Sequence, residues 1–287
     1  MATRALVVGG TGGIGYAIAC RIAAESKLST VIISGRNKPQ DIPHANIEFR
    51  PLDASSMRSI KQYTDAYKSA PEKDLNLLVL TQGIFSMAGR TETPEGIDRK
   101  MALHYYGRQL LIRELLPVMK DDAKVVIVLD GVRGGPPTKL NWDDLDLKTH
   151  YSLGNAANHC ISMTDAMVQA YAAAQQKRRS AGRRHFVHAY PGFVQTNISN
   201  SLPWYLRPVA RGVGHLFAVS PETCAAHMIR GTYECAAAVE KEGRFWSCID
   251  DKGRLVARKP LWSEEQIKKV EEHTWKVLDD AINKTSS

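Results

Sequence analysis

"VVGGTGGIGYAIA" (residues 7–19) decides how the rest of the chain is read. Val7 and Val8 close an apolar run that stops at Gly9, and glycines follow at 13 and 15 in the spacing G-x-x-x-G-x-G. Gly9 permits a tight exit from a strand, and Gly13 and Gly15 permit close approach of a pyrophosphate and tight packing of the next helix. The start of that helix turns backbone N–H groups and its dipole toward an anion. A glycine triplet alone is a weak signal, but here it stands between a strand and a helix. That context predicts a dinucleotide phosphate loop built from Gly9, Thr11, Gly13, Ile14 and Gly15.

Outward from the loop, short apolar runs alternate with helical patterns. Strands are predicted at 4–10, 30–35, 47–53, 75–83, 124–131 and 185–192, and helices at 13–25, 56–69, 96–120 and 152–178. The strand runs are almost continuously apolar, as in a parallel sheet covered on both faces. The alternation predicts right-handed βαβ crossovers and a doubly wound parallel α/β sheet. There is no internal repeat or linker, so residues 1–287 are expected to form one domain.

Hydrophobic residues make up 44% and charged residues 24%, an ordinary soluble composition. The five cysteines lack C-x-x-C or metal-finger spacing, so no metal site is expected. No signal peptide and no run of 18 apolar residues is present, which points to a cytoplasmic protein without membrane insertion. The net charge of +8 is partly local, because "KRRSAGRRH" (177–185) holds five of the 38 basic residues. Without interleaved aromatic residues to stack on bases, the run reads as a solvated helix end and loop rather than a nucleic-acid site.

Two later stretches break the alternation. Residues 199–220, "SNSLPWYLRPVARGVGHLFAVS", are apolar and basic and are expected to form a lid over an apolar ligand. Residues 260–282 predict a terminal helix, with Ser263 and Gln266 in capping-box spacing and Ile267, Val270, Thr274, Val277 and Ala281 on one face.

The second strand ends in "IISGRN" without the carboxylate that would bind an adenosine ribose 2′-hydroxyl. Arg36 stands there instead and suits a 2′-phosphate, so NADP(H) is the expected cofactor. Asp53 is a candidate for the adenine amino group, or else a helix N-cap, as is Ser55.

With the loop, "YSLGNAAN" (151–158) and "HAYPGFVQTN" (188–197), the chain resembles the short-chain dehydrogenase/reductase family over roughly residues 3–200. The tail, with "GRFWSCIDDKGR" (243–254), resembles an atypical fungal branch found with secondary-metabolite pathways, and residues 243–287 look like a C-terminal extension. The resemblance implies a Rossmann domain with NADP(H) across the strand ends, a small hydrophobic substrate, and a homodimer or homotetramer. It also implies an Asn–Ser–Tyr–Lys tetrad that moves a hydride between nicotinamide and a carbonyl or alcohol carbon.

The match is uneven. The cofactor half fits at Gly9, Gly13 and Gly15, at Gly83 within "TQG", and at Pro191, Gly192, Val194 and Thr196. In the tetrad, the asparagine falls on His104, the serine near Asp130, the tyrosine on Tyr151 and the lysine on Asn155. A free tyrosine has a pKa near 10, and an uncharged Asn155 cannot stabilise a phenolate. A neutral phenol still protonates a developing alkoxide, so the departures favour carbonyl reduction over alcohol oxidation. Arg133 and His104 are candidates for a replacement positive charge. Two alternatives stay open: a non-redox isomerase, dehydratase or cyclase in which Asp130, His104 and Tyr151 handle protons, and a non-enzymatic NADP(H) sensor.

Overall fold

A computed structural model describes residues 2–134, 137–177, 183–195 and 218–284. Seven parallel strands form one sheet in the order β3-β2-β1-β4-β5-β6-β7. They are β1 (Arg4–Val8), β2 (Thr30–Gly35), β3 (Ile47–Pro51), β4 (Leu75–Leu80), β5 (Met119–Val128), β6 (His185–Ala189) and β7 (Trp246–Ile249). The central strands are buried at nearly every residue, which explains why their sequences are apolar without alternation.

Helices cover both faces. On one face lie α1 (Gly13–Glu25) and α6 (Pro221–Glu240), over a core that includes Val7, Ile18, Ile33, Val79, Val126 and Met228. On the other lie α2 (Met57–Ser69), a composite helix, and α5 (Leu153–Lys177). The composite helix consists of α3 (Arg99–Met101), a π turn (Ala102–Tyr106) and α4 (Gly107–Leu115). The final helix, α7 (Glu264–Asn283), packs outside α5 and α2. No described helix is long and apolar enough to cross a membrane.

The single helix expected over 96–120 is shorter and interrupted, for local reasons. Asp98 caps its start by accepting from the N–H groups of Lys100 and Met101. Pro117 sits in a 3₁₀ turn (Leu116–Val118), after which the chain enters β5 at Met119. The π turn places His104 and Tyr105 one residue out of α-helical phase, a distortion often found at functional sites.

Three further expectations change. Neither Asp53 nor Ser55 caps α2, because that role falls to Ser56, whose hydroxyl accepts from Ser59 N–H. The tail is no appendage: Trp246–Ile249 pairs with β6 and completes the sheet. The helix α6 also went unforeseen. The expected capping box on α7 is present, and Val270, Thr274, Leu278 and Ala281 are its buried residues. Most of the proposed lid, with Thr196, lies outside the described residues. So does the middle of the basic run, while Arg184 at its end donates to the Met119 carbonyl.

Candidate active-site cleft

The phosphate loop follows β1 as expected. Gly9 (φ 83°) and Gly13 (φ 53°) adopt the left-handed conformation that glycine favours. A Cβ on Gly9 would lie 2.6 Å from both Gln82 N and Thr81 Oγ1, and one on Gly15 would lie 2.4 Å from Thr81 Oγ1. These two positions therefore lock the loop against the end of β4. Gly12, by contrast, faces open space and caps α1 with no side chain, so the first N–H groups of α1 stay available. A cradle of bare backbone at a helix start fits a pyrophosphate.

The loop opens into a cleft of about 670 Å³ along the C-terminal ends of the strands. Gly9, Thr11, Gly13, Ile14, Gly15, Arg36, Asp53, Gly83, His104 and Pro191, all expected from sequence, line it. One end lies at β2 and β3, with Arg36 and Asp53. The other lies at β4 to β6, with Gln82, Gly83, Val128, Leu129 and Pro191. A dinucleotide on this loop would place its adenosine at the first end and its nicotinamide at the second, as the fold's switch point dictates.

At the adenosine end, no hydrogen bond or ion pair engages the guanidinium of Arg36 or of Arg99 among the described residues. Both charges act on Asp53. Burial works to raise the pKa of Asp53, but the hydrogen bonds from Ser55 and those two charges outweigh it and hold Asp53 below its ordinary value. Its Oδ1 accepts from both Ser55 N–H and Ser55 Oγ–H.

At the nicotinamide end, the side chains depart from expectation. His104 Nε2 lies 3.1 Å from Ile84 N and 3.0 Å from Ile84 O, and Nδ1 is enclosed without a partner among the described residues. Burial, then the charge of Arg108, lower its pKa to about 4. His104 is therefore neutral at ordinary pH and is not the replacement cation. The sign of the consequence is fixed. An unfolded histidine takes up its proton near pH 6.5 and the folded one only near 4, so stability is full above about 6.5 and is lost on acidification toward 4. His104→Gln is expected to remove up to about one proton's worth of this pH dependence, read from urea midpoints between pH 7 and 4.5. An unchanged slope would show that His104 takes no part in it.

Asp130 does not face the cleft. Its carboxylate is buried and accepts from Arg133 N–H at 2.8 Å and from Arg133 Nε–H at 2.7 Å. Arg133, mostly exposed, spends its charge on that pair and on the face of Tyr190. Asn155 is exposed, and its amide donates to the His150 carbonyl instead of reaching the cleft. Tyr151 does not line the cleft either. Its hydroxyl is enclosed without a partner among the described residues, and the Lys100 ammonium stands 5.5 Å from its ring centroid. Gly192 (φ 70°) packs on Asp251, and Val194 pairs with Val219, so neither lines the cleft.

Two groups were missed from sequence. Arg108 enters the cleft floor fully buried. Behind the loop after β5, Asp165 Oδ1 accepts from His188 Nδ1–H at 2.5 Å, and the Lys259 ammonium lies 2.6 Å from Oδ2. Cys248 Sγ is 3.7 Å from the same carboxylate. His188, Asp165 and Cys248 stand close enough together to hold a metal ion. However, His188 Nε2 accepts the Asp130 backbone N–H, which puts the ring proton on Nδ1 and makes that atom a donor, not a ligand. Lys259 already supplies the positive charge, so the cluster is a hydrogen-bonded ion pair.

Residues 3–133 match the short chain dehydrogenase family model. An oxidoreductase of Emericella nidulans, AN1596, is 36% identical over 212 residues, which cover 69% of this chain and 61% of that protein. The chain thus spans about three-fifths of the length of that relative. Human polyprenol dehydrogenase is 27% identical over 237 residues, 76% of this chain and 68% of that one. In fold, the chain matches the NADPH-bound carbonyl reductase from chicken fatty liver with a TM-score of 0.59 at 16% identity, over 90% of this chain and 99% of that one. Glycine cradle, strand order and relatives agree: the chain belongs to the short-chain dehydrogenase/reductase family, with kin among fungal oxidoreductases.

Proposed function

We propose that this protein is an NADPH-dependent carbonyl reductase for a hydrophobic, polyketide- or terpenoid-like metabolite. The observation that carries the reading is the cleft itself: a glycine cradle with an unengaged Arg36 at one end and apolar loops at the other. Phe85, Met87, Val132 and Phe193 are exposed on the loops after β4, β5 and β6, the edge onto which the cleft opens. The name of the human relative, a polyprenol dehydrogenase, supports an apolar substrate.

Bound NADPH would supply the hydride. The chain's own residues hold its phosphates on the α1 N-terminus and its 2′-phosphate at Arg36, and exclude water with the apolar rim. The carbonyl carbon gains the hydride, and the carbonyl oxygen takes a proton from the Tyr151 hydroxyl, which has no partner among the described residues. Because that hydroxyl is enclosed outside the cleft, the reading requires the segment before α5 to turn it toward the bound substrate. A second reading, a non-redox isomerase, dehydratase or cyclase on the same fold, draws support from the unassembled tetrad, since Asp130 and Asn155 are bonded away from the cleft. Following NADPH absorbance alongside product formation from apolar ketones separates the two, because product without NADPH loss would refute the reductase.

Arg36→Ala is expected to remove most of the preference for NADPH over NADH, a change of about 1.5–3 kcal/mol for a charge-assisted contact. Titration calorimetry checks this. Equal affinity of the unsubstituted protein for the two cofactors would overturn the assignment.

A further inference from the structure

We propose that Arg108 is a charge-positioning residue that biases the cleft toward the reduced, uncharged nicotinamide and so sets the protein to run reductively. The proposal rests on the dinucleotide reading above and deepens it.

Arg108 is the second residue of α4, after Gly107 and the π turn, and is 1% exposed. Its Nη2 donates to Gln82 O at 2.6 Å, its Nη1 to Val128 O at 2.8 Å and its Nε to Leu103 O at 3.3 Å. All three acceptors are neutral carbonyls, two of them at the ends of β4 and β5. No carboxylate pairs with Arg108 among the described residues. Nearby acids are committed elsewhere: Asp98 to the backbone N–H groups of Thr91, Lys100 and Met101, Asp130 to Arg133, and Asp165 to His188 and Lys259.

A buried cation without a counter-ion is costly, and a purely structural staple would be cheaper from an uncharged side chain. Burial lowers its pKa to about 10, so it stays charged at neutral pH. The same floor holds two more polar groups with no partner among the described residues, the whole Gln82 amide and His104 Nδ1. This is the end of the cleft opposite Arg36, where the nicotinamide belongs.

The consequence follows from charge alone. An oxidised nicotinamide ring is a cation and a reduced one is neutral. A fixed guanidinium in a low-dielectric floor repels only the former, by on the order of tenfold in affinity at the separations a cleft allows. Its field also favours the negative charge that grows on a carbonyl oxygen as hydride adds to the carbonyl carbon. Arg108 thereby supplies, from another helix, the positive charge that the family resemblance expects at Asn155.

The test is titration calorimetry of the full chain with NADPH, NADP+ and adenosine 2′,5′-bisphosphate, which lacks nicotinamide. The native protein and Arg108→Lys are expected to prefer NADPH over NADP+ by on the order of tenfold. Arg108→Met and Arg108→Gln are expected to bring that ratio close to one while adenosine bisphosphate affinity hardly changes. Gln keeps a donor for the carbonyls, so it answers the question if Met fails to fold. Parallel loss of all three ligands would assign Arg108 to structure and overturn the proposal, as would an unchanged ratio in both variants. Native binding of adenosine bisphosphate with equal NADPH and NADP+ affinity would sink this inference alone. No binding of adenosine bisphosphate would sink the dinucleotide reading and this inference with it.

Discussion

Tyr151→Phe is expected to lower turnover by about 10²–10⁴-fold, the usual share of a general acid, and to leave NADPH affinity nearly unchanged. The two readouts part because the phosphate cradle lies on β1 and α1, whereas Tyr151 precedes α5. Its hydroxyl has no acceptor among the described residues to lose, so the substitution breaks no hydrogen bond of the described fold and should not cost stability. A kinetic loss of this size with an unchanged unfolding midpoint would therefore be chemical. Turnover within about threefold of the native protein would remove Tyr151 from the reaction, since even a modest acid contributes more. NADPH loss matched one-to-one by product, and abolished in Tyr151→Phe, would dispose of the isomerase and sensor readings together.

The second large effect is on stability. Asp165→Ala is expected to cost about 3–5 kcal/mol, because it strands the buried Lys259 ammonium and frees His188 from its acceptor. The double variant Asp165→Leu/Lys259→Met removes both charges and should recover a large part of that loss, as apolar replacements of buried pairs commonly do. Urea unfolding of the native, single and double forms measures both quantities. A single variant that costs less than about 1 kcal/mol would show that water reaches the pair and that it is no true buried bridge. The loop after β5 should loosen with it, since His188 holds Asp130 N–H at its start and Lys259 donates to Gly134 O at its end.

What the sequence made legible was what the backbone itself demands. The spacing of Gly9, Gly13 and Gly15 is a requirement of chain geometry, so it announced strand, loop, helix and cleft together. The place of Arg36 at the cleft was legible because it follows β2 directly. The catalytic half was obscure because it rests on where side chains turn. Asp130 and Asn155 lie where the resemblance put them along the chain, yet one folds back on Arg133 and the other onto His150 O. Arg108 left a trace, a charged residue on the buried side of "GRQLLIREL", but nothing in the string says that no acid comes to meet it. Asp165, His188 and Lys259 come from three separate segments and offered no local pattern at all. The strand Trp246–Ile249 was lost for its brevity, since four residues carry no periodicity to count.

The tail also governs the order in which the protein can be made. Until Trp246–Ile249 leaves the ribosome, β6 has an open edge, and until α7 follows, Tyr105 and Tyr106 lack the Thr274 and His273 partners that cover the helix bearing His104 and Arg108. A nascent or prematurely stopped chain therefore holds a nearly complete phosphate cradle beside a sticky strand edge and an unsealed aromatic face. Such a chain invites chaperones and proteases before it can act, so nonsense changes late in the gene should yield no partly active product, only scarcity of protein.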